Sequence, residues 1–403
     1  MTSWPGLRPS ALPTTVAWDP AMAAYDFGPG HPMAPQRLEL TARLAGALGL
    51  FELPHVSLEA PAVASDVELQ SVHSADYIAA VRRAGEDPST SDPEHGLGTD
   101  DDPAFAGMHE ASARLAGASL LCAEAVLSEQ AVRAVNFGGG LHHASRERAS
   151  GFCIYNDAAL AIQRLLDGGV AKVAYIDVDA HHGDGTQSIF WNDPRVLTIS
   201  LHESGLTLFP GTGFANETGG PAAVGAAVNV ALPAHTRDAG WLRAFHAVVP
   251  QLVGAFGPEV IVSQHGCDSH ANDPLTNLNL SVDGQREAAT AVAGLASRYC
   301  GNRWIATGGG GYDITGVVPR SWSHLIGIVA QNPVPLTARV PEDWLEYVRE
   351  KFGVHAPERM GDDVDTWWRS WEVGYDPADA VDRSIIATRK EIFPLYGLDP
   401  WFD

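Results

Sequence analysis

Cysteine is scarce in this 403-residue chain, at four residues: Cys122, Cys153, Cys267 and Cys300. They are widely spaced and form no Cys-x-x-Cys pair, so neither a disulfide framework nor a thiolate zinc site is suggested, and a reduced cytoplasm is the expected home. Positive charge is also short, with 26 Lys and Arg against 49 Asp and Glu and a formal net charge of −23. That balance argues against nonspecific binding to nucleic acid or to an anionic membrane. It is compatible with attracting a cationic substrate, although most acidic proteins are merely soluble ones. No apolar run reaches the roughly 18–20 residues that a membrane helix needs. The opening MTSWPGLRPSALPTT has no basic segment followed by an apolar one, so no secretory signal is expected.

What is present suits a globular enzyme: 45% hydrophobic residues and only 19% charged ones. From about residue 130, apolar strand-like runs at 132–137, 171–178, 196–201, 227–231, 258–263 and 303–307 alternate with helix-period segments. Those segments lie at about 156–167, 239–254, 283–299 and 318–330. Before residue 130 come one more strand-like piece, TTVAW, and helical stretches at about 35–49, 74–84 and 107–127. Strands alternating with helices of this length predict an α/β fold, an open parallel sheet flanked by helices on both faces. The loops 85–104 and 202–226 interrupt patterned segments and lead back into them, as substrate rims do and interdomain linkers do not. The tail beyond about 340, with Trp344, Trp367, Trp368 and Trp371, reads as a helical cap on the same single domain.

The chemically dense segments follow strands. NFGGGLHHA carries His142 and His143, VAYIDVDAHHGDG carries Asp177, Asp179, His181 and Asp184, SQHGCDSHANDPL carries Asp268, and TGGGGYD carries Tyr312. Ligands of open parallel sheets bind beyond the carboxyl ends of strands, so these segments are expected to converge. Asp179 and His181 are separated by one residue, and in extended backbone both leave the same face. With Asp268 they make a three-ligand N/O site with a fourth position open, the pattern of catalytic zinc. Alone, Asp-x-His is more often a turn-capping acid beside a surface histidine; the other strand ends argue against that. The glycines before His142 lack the GxxxxGK[ST] pattern of a phosphate loop and let the backbone approach closely. Asp177 and Asp184 are spare acids that can fix the tautomers of the adjacent histidines. Tyr312, on a four-glycine turn, can lend its hydroxyl to an oxyanion.

NFGGGLHHA, GFCIYNDAA, YIDVDAHHGDGTQ, LHESGLTLFPGTG, QHGCDSHANDPL and GGGGY, in this order, resemble the histone deacetylases of the arginase/deacetylase fold. GPGHPMAPQRL at 28–38 resembles the opening motif of class I members. GLGTDDDPAF, QHGCDSH and DRSIIATRKEIFPLYGLDP are similar to bacterial acetoin-utilisation-type deacetylases. The likeness covers about residues 15–330, implying one deacetylase domain over 1–403 with a cap at about 335–403.

The resemblance implies a zinc-dependent lysine deacetylase, with iron or cobalt as substitutes since such ligands discriminate weakly. It makes Asp179, His181 and Asp268 the ligands, His143 the general base and then acid, and His142 its electrostatic partner. Asp184 and Asp177 become their respective carboxylates, and Tyr312 polarises the acyl carbonyl. Gly151, Phe152, Phe209 and Leu275 would line a tunnel for the lysine stem, and Asp101 would grip substrate amides at the rim. Asp100, Asp101 and Asp102 leave that last assignment open by one position. Structural potassium is implied near Asp177, Asp179, His181, Ser200 and Leu201, and a second ion around Phe190, Asp193 and Val196. Asp193 stands where many relatives carry Thr, and His265 and Cys267 replace the Leu and Ala of eukaryotic members. His270 is an extra imidazole, read as lying beside the ligands rather than as a fourth one. Substrates implied are acetylated proteins or peptides or, alternatively, acetylated polyamines. A manganese ureohydrolase and a catalytically silent acetyl-lysine binder are the remaining readings.

Overall fold

The computed structural model describes residues 11–403. The first ten residues, which carry most of the segment read above for a secretory signal, lie outside the described ones. In chain order the strands are β1 (Thr14–Ala17), β2 (Val56–Glu59), β3 (Arg133–Asn136), β4 (Val173–Asp177), β5 (Val196–Glu203), β6 (Ala227–Leu232), β7 (Val260–Gln264) and β8 (Trp304–Thr307). They form one eight-stranded sheet in the order β2-β1-β3-β8-β7-β4-β5-β6, with every pairing parallel. Seven of these are the runs read from the sequence; β2 is the addition. Its VSLE segment lies at the sheet edge, partly exposed, so it carries little of the apolar signal that marks a strand buried on both faces.

The helices are α1 (Gln36–Ala47), α2 (Asp66–Leu69), α3 (Ala75–Glu86), α4 (Met108–Leu127), α5 (Asp157–Asp167), α6 (Asp184–Ile189), α7 (Asp238–Phe256), α8 (Val282–Tyr299), α9 (Val318–Val329), α10 (Glu342–Phe352) and α11 (Ala380–Ile392). Side-chain caps fix several starts: Asn156 accepts from the Ala159 amide before α5, and Ser281 from the Gly284 amide before α8. The short α2 and α6, of four and six residues, are too brief for helical periodicity to reveal. No helix among the described residues is long and apolar enough to cross a membrane.

The C-terminal segment is fastened at both ends of the sheet. Trp344 of α10 is buried and donates its indole N–H to the Leu40 carbonyl of α1 at 3.1 Å. Thr388 of α11 donates to the Asn229 carbonyl of β6 at 2.5 Å. In the first turn of α11, Asp382 accepts from Arg243 of α7 at 2.5 and 2.8 Å and from Arg369 at 2.9 Å. Trp368 stacks on His246 with ring centroids 4.3 Å apart, whereas Trp367 is 70% exposed and takes no part in the packing expected of it.

The sheet order explains where function falls. β3, β8, β7 and β4 are consecutive neighbours, and they are the strands followed by the His, Tyr and Asp motifs. Their last residues, Asn136, Thr307, Gln264 and Asp177, stand side by side in register. All four are fully buried. Four apolar strands thus end on one polar row, and the loops beyond it hang from those side chains.

Candidate active site

Asp179, His181 and Asp268 come together: one ligand atom from each lies within 4.8 Å of the others, and all three residues are buried. His181 Nδ1 faces Asp179 Oδ1 at 3.1 Å and Asp268 Oδ2 at 2.8 Å. A single ring nitrogen carries at most one proton and cannot satisfy two carboxylates. A divalent cation accepting all three atoms would, so the donor set fits a metal. The remaining oxygens are already fixed. Asp179 Oδ2 accepts from the Gly310 amide at 2.9 Å and from Gln264 Nε2 at 2.7 Å, and Asp268 Oδ1 accepts from the Ala180 amide at 2.8 Å. Burial, then the neighbouring Asp179 charge, push the Asp268 carboxyl up to about 7. Gly266 and Gly310 are required here, because a Cβ at either would collide with a ligand carboxylate.

The two histidines after β3 differ through their partners. His142 Nδ1 meets Asp177 Oδ2 at 2.7 Å, His143 Nδ1 meets Asp184 Oδ1 at 2.7 Å, and the two Nε2 atoms are 3.1 Å apart. Burial opposes charge on His142, but Asp177 and then Asp179 outweigh it and push the imidazole up to about 9. Burial, then the charge of His142, hold His143 below its ordinary value. One imidazole therefore favours the cationic form and its neighbour the neutral form, which suits an acceptor of protons.

His142, His143, Asp179, His181 and Tyr312 line one narrow cavity. Phe152 stands edge-on to Tyr312 at 5.8 Å and Phe209 edge-on to His143 at 5.1 Å, so the two aromatic rings flank the approach. Phe152 has φ 65°, a left-handed conformation that costs a bulky residue about 1–3 kcal/mol and marks an over-determined position. Its carbonyl accepts from the Tyr25 hydroxyl at 2.6 Å. Of the three consecutive acids, Asp101 is the one that reaches this wall, its Oδ2 accepting from the Gly151 amide at 2.7 Å. Asp100 is exposed and Asp102 buried. Leu275 is 37% exposed on the loop whose Asp273 accepts from the amides of Leu275 and Tyr312.

The expected potassium residues divide. Asp177 is the register neighbour of Ser200, and Asp177 Oδ1 accepts from the Asp179 amide at 3.2 Å, so Ser200 and Leu201 lie beside the triad. Around the second position the Phe190 carbonyl accepts from the Asp193 amide and the Asp193 carbonyl from the Val196 amide. The Asp193 carboxylate itself is committed to Arg195, at 2.6–3.2 Å. His265 is a neutral core residue bonded to Ser263, held down at about 3 by burial. His270 points away from the triad: its Nε2 meets Asp362 at 3.0 Å, which stitches the C-terminal segment to the Asp268 loop.

Several supporting residues were missed from the sequence. Asp157 accepts from the Gly140 and Leu141 amides and from Ser119, anchoring the glycine loop. Gln264 accepts from the Gly266 amide while donating to Asp179. Asp273 holds the Tyr312 backbone. A polar residue closing an apolar strand, as in VIVSQ, is the only local signal that any of them left.

The Histone deacetylase domain family model matches residues 31–329. The chain belongs to the histone deacetylase family of hydrolases, and its parallel sheet flanked by helices is the arginase/deacetylase arrangement that the motifs implied. It is 41% identical to the acetoin utilization protein AcuC of Bacillus subtilis (strain 168) over 379 residues, which is 93% of this chain and 97% of the relative. It is 38% identical to the AcuC of Staphylococcus xylosus over 346 residues, 85% of this chain and 89% of that one. For the AcuC of Staphylococcus aureus (strain MSSA476) the identity is 37% over 351 residues, 87% and 90% of the two chains.

Proposed function

We propose that this chain is a zinc-dependent amidohydrolase that removes acetyl, or longer acyl, groups from lysine side chains of proteins. The observation that carries this reading is the cluster of Asp179, His181 and Asp268, of which Asp179 and His181 line one cavity with His143 and Tyr312. Held by the two acids and the imidazole, a divalent ion supplies Lewis-acid activation of water and of the acyl carbonyl. Iron or cobalt suits the same ligands.

The residues of the chain do the rest. His143, kept neutral by its surroundings and oriented by Asp184, takes the proton of the attacking water and later delivers one to the departing lysine amine. Positioned transfer of this kind is worth about 10²–10⁴ in rate. His142, charged through Asp177, stabilises the negative charge that builds on the attacked carbon's oxygens. Tyr312 donates its hydroxyl to the developing oxyanion, and Asp273 fixes the backbone that carries it. Phe152 and Phe209 hold the apolar lysine stem, while Asp101 and Gly151 grip the substrate backbone at the rim, with Leu275 beside them. Structural potassium would be held beside Asp177 by Ser200 and Leu201, and a second ion by the turn from Phe190 to Val196 between α6 and β5.

Likeness to relatives named for acetoin utilization supports a metabolic setting, and the sparse, unpaired cysteines suit a reduced cytoplasm. A two-metal ureohydrolase is disfavoured, because this single triad is the metal-competent cluster found among the described residues. Acetylated polyamines are the second reading, favoured by the net charge of −23. Turnover of acyl-lysine peptides against acetylputrescine on metal-defined enzyme separates the two. Faster peptide turnover supports the lysine reading, faster polyamine turnover overturns it, and no turnover with metal bound leaves a silent binder.

A further inference from the structure

Partly exposed apolar side chains draw little positional restraint from burial, so the backbone beneath them decides where they stand. Phe209, 45% exposed, and Leu275 are such residues, and both are read above as walls of the substrate entrance. Their two loops meet on one side chain. Glu203, the last residue of β5, is buried, and its carboxylate accepts three hydrogen bonds from neutral donors. Oε2 takes the Asn277 amide at 2.9 Å, and Oε1 takes Asn277 Nδ2 and the Thr207 hydroxyl, each at 2.8 Å. The other acceptor open to that hydroxyl, the Ser204 carbonyl, is farther away at 3.1 Å.

Each donor residue stands two positions from a wall. Thr207 precedes Phe209 in a compact turn, where the amides of Thr207 and Leu208 both reach the Ser204 carbonyl. Asn277 follows Leu275. On the other side of Leu275, Asp273 accepts the amides of Leu275 and Tyr312 at 2.9 and 2.8 Å. The segment from 273 to 277 is therefore pinned at one end to the turn that carries Tyr312 and at the other to Glu203. The Glu203 amide donates in turn to the carbonyl of Ala180, the residue between Asp179 and His181, at 2.9 Å. One residue thus registers both walls against the loop of the metal ligands.

We propose that Glu203 is a positioning residue: its carboxylate clasps the Phe209 loop to the Leu275 loop and holds the entrance at the spacing that an acyl-lysine stem fits. The effect on binding rests on the substrate reading above; the clasp rests on the hydrogen bonds alone. Without it the two walls are ordered only as substrate arrives, and the cost falls on binding.

Hydrogen exchange and steady-state kinetics on the metal-loaded enzyme test this. In E203A, amide exchange should quicken in residues 204–212 and in residues 273–279 together. KM for an acyl-lysine peptide should rise about tenfold, the worth of two side chains newly ordered on binding, with kcat and metal content near wild type. E203Q, whose carboxamide accepts at one end only, should recover part of the KM. T207V should raise KM less and quicken exchange in 204–212 alone, and E203A/T207V should be no worse than E203A. Exchange unchanged in either segment of E203A, or a fall in kcat with KM unmoved, overturns the proposal. If E203A fails to fold, T207V decides, because Thr207 is exposed: KM and exchange at wild-type values there overturn it. Enzyme that turns over no peptide refutes the substrate reading instead, while exchange still decides the clasp.

Discussion

Two clusters of buried acids in this molecule are built on opposite principles. In the first turn of α11, Asp382 is matched by two guanidinium groups, Arg243 and Arg369, and also accepts the Asp376 amide. At the carboxyl ends of β4 and β7, Asp177, Asp179 and Asp268 are buried with imidazoles and peptide amides for company. The first cluster is closed in charge and contact. The second sets one imidazolium, His142 on Asp177, against three carboxylates, and its Asp179 lines a cavity. A balanced buried acid fastens a fold, whereas an unbalanced one awaits an ion. That difference separates structure from chemistry here more sharply than burial does.

The comparison can be broken at either end. The largest effect is expected from D268A or D179A: the ion should be lost, turnover should vanish, and chelator should no longer lower the melting temperature as it does in the wild type. Elemental analysis and thermal denaturation with and without chelator check this. H143A should retain the ion and lose about 10²–10⁴ in kcat. Y312F should also retain the ion and lose about 10²–10³ in kcat. Metal content measured beside kcat would expose either residue as a ligand instead.

D382N should do the reverse, leaving metal content and kcat near wild type while destabilising the fold by about 3–5 kcal/mol, because it strands Arg243 in the interior. Its pH dependence has a definite sign. Although burial opposes the charge, Arg243 outweighs it and holds Asp382 below its ordinary value. That stabilisation is therefore present above the ordinary carboxylate range, about pH 4, and is lost as pH falls through the folded-state value. D382N should lack this acid limb in urea denaturation. A single cooperative transition in the wild type would also support reading the C-terminal cap as part of one domain.

The sequence revealed the sheet well because most of its strands are buried on both faces and read as continuous apolar runs. β2 escaped because an exposed edge strand carries little apolar signal. The convergence of His142, His143, Asp179, His181, Asp268 and Tyr312 was legible because each follows a strand end, and parallel strands bring their ends to one level. Gln264, Asp157 and Asp273 were not, since each acts through a hydrogen bond to a distant loop. The rim acid was legible only to within one position. Nothing local distinguishes three consecutive aspartates, and only the fold exposes Asp100, turns Asp101 to Gly151 and buries Asp102. The partner of His270 was illegible in the same way, for Asp362 lies 92 residues further along the chain.

The most direct test is anomalous diffraction from crystals of the active, zinc-loaded enzyme, recorded above and below the zinc edge. A single strong peak enclosed by Asp179, His181 and Asp268 is the expected result. An active enzyme with its zinc elsewhere, or with none between those three side chains, would contradict the account.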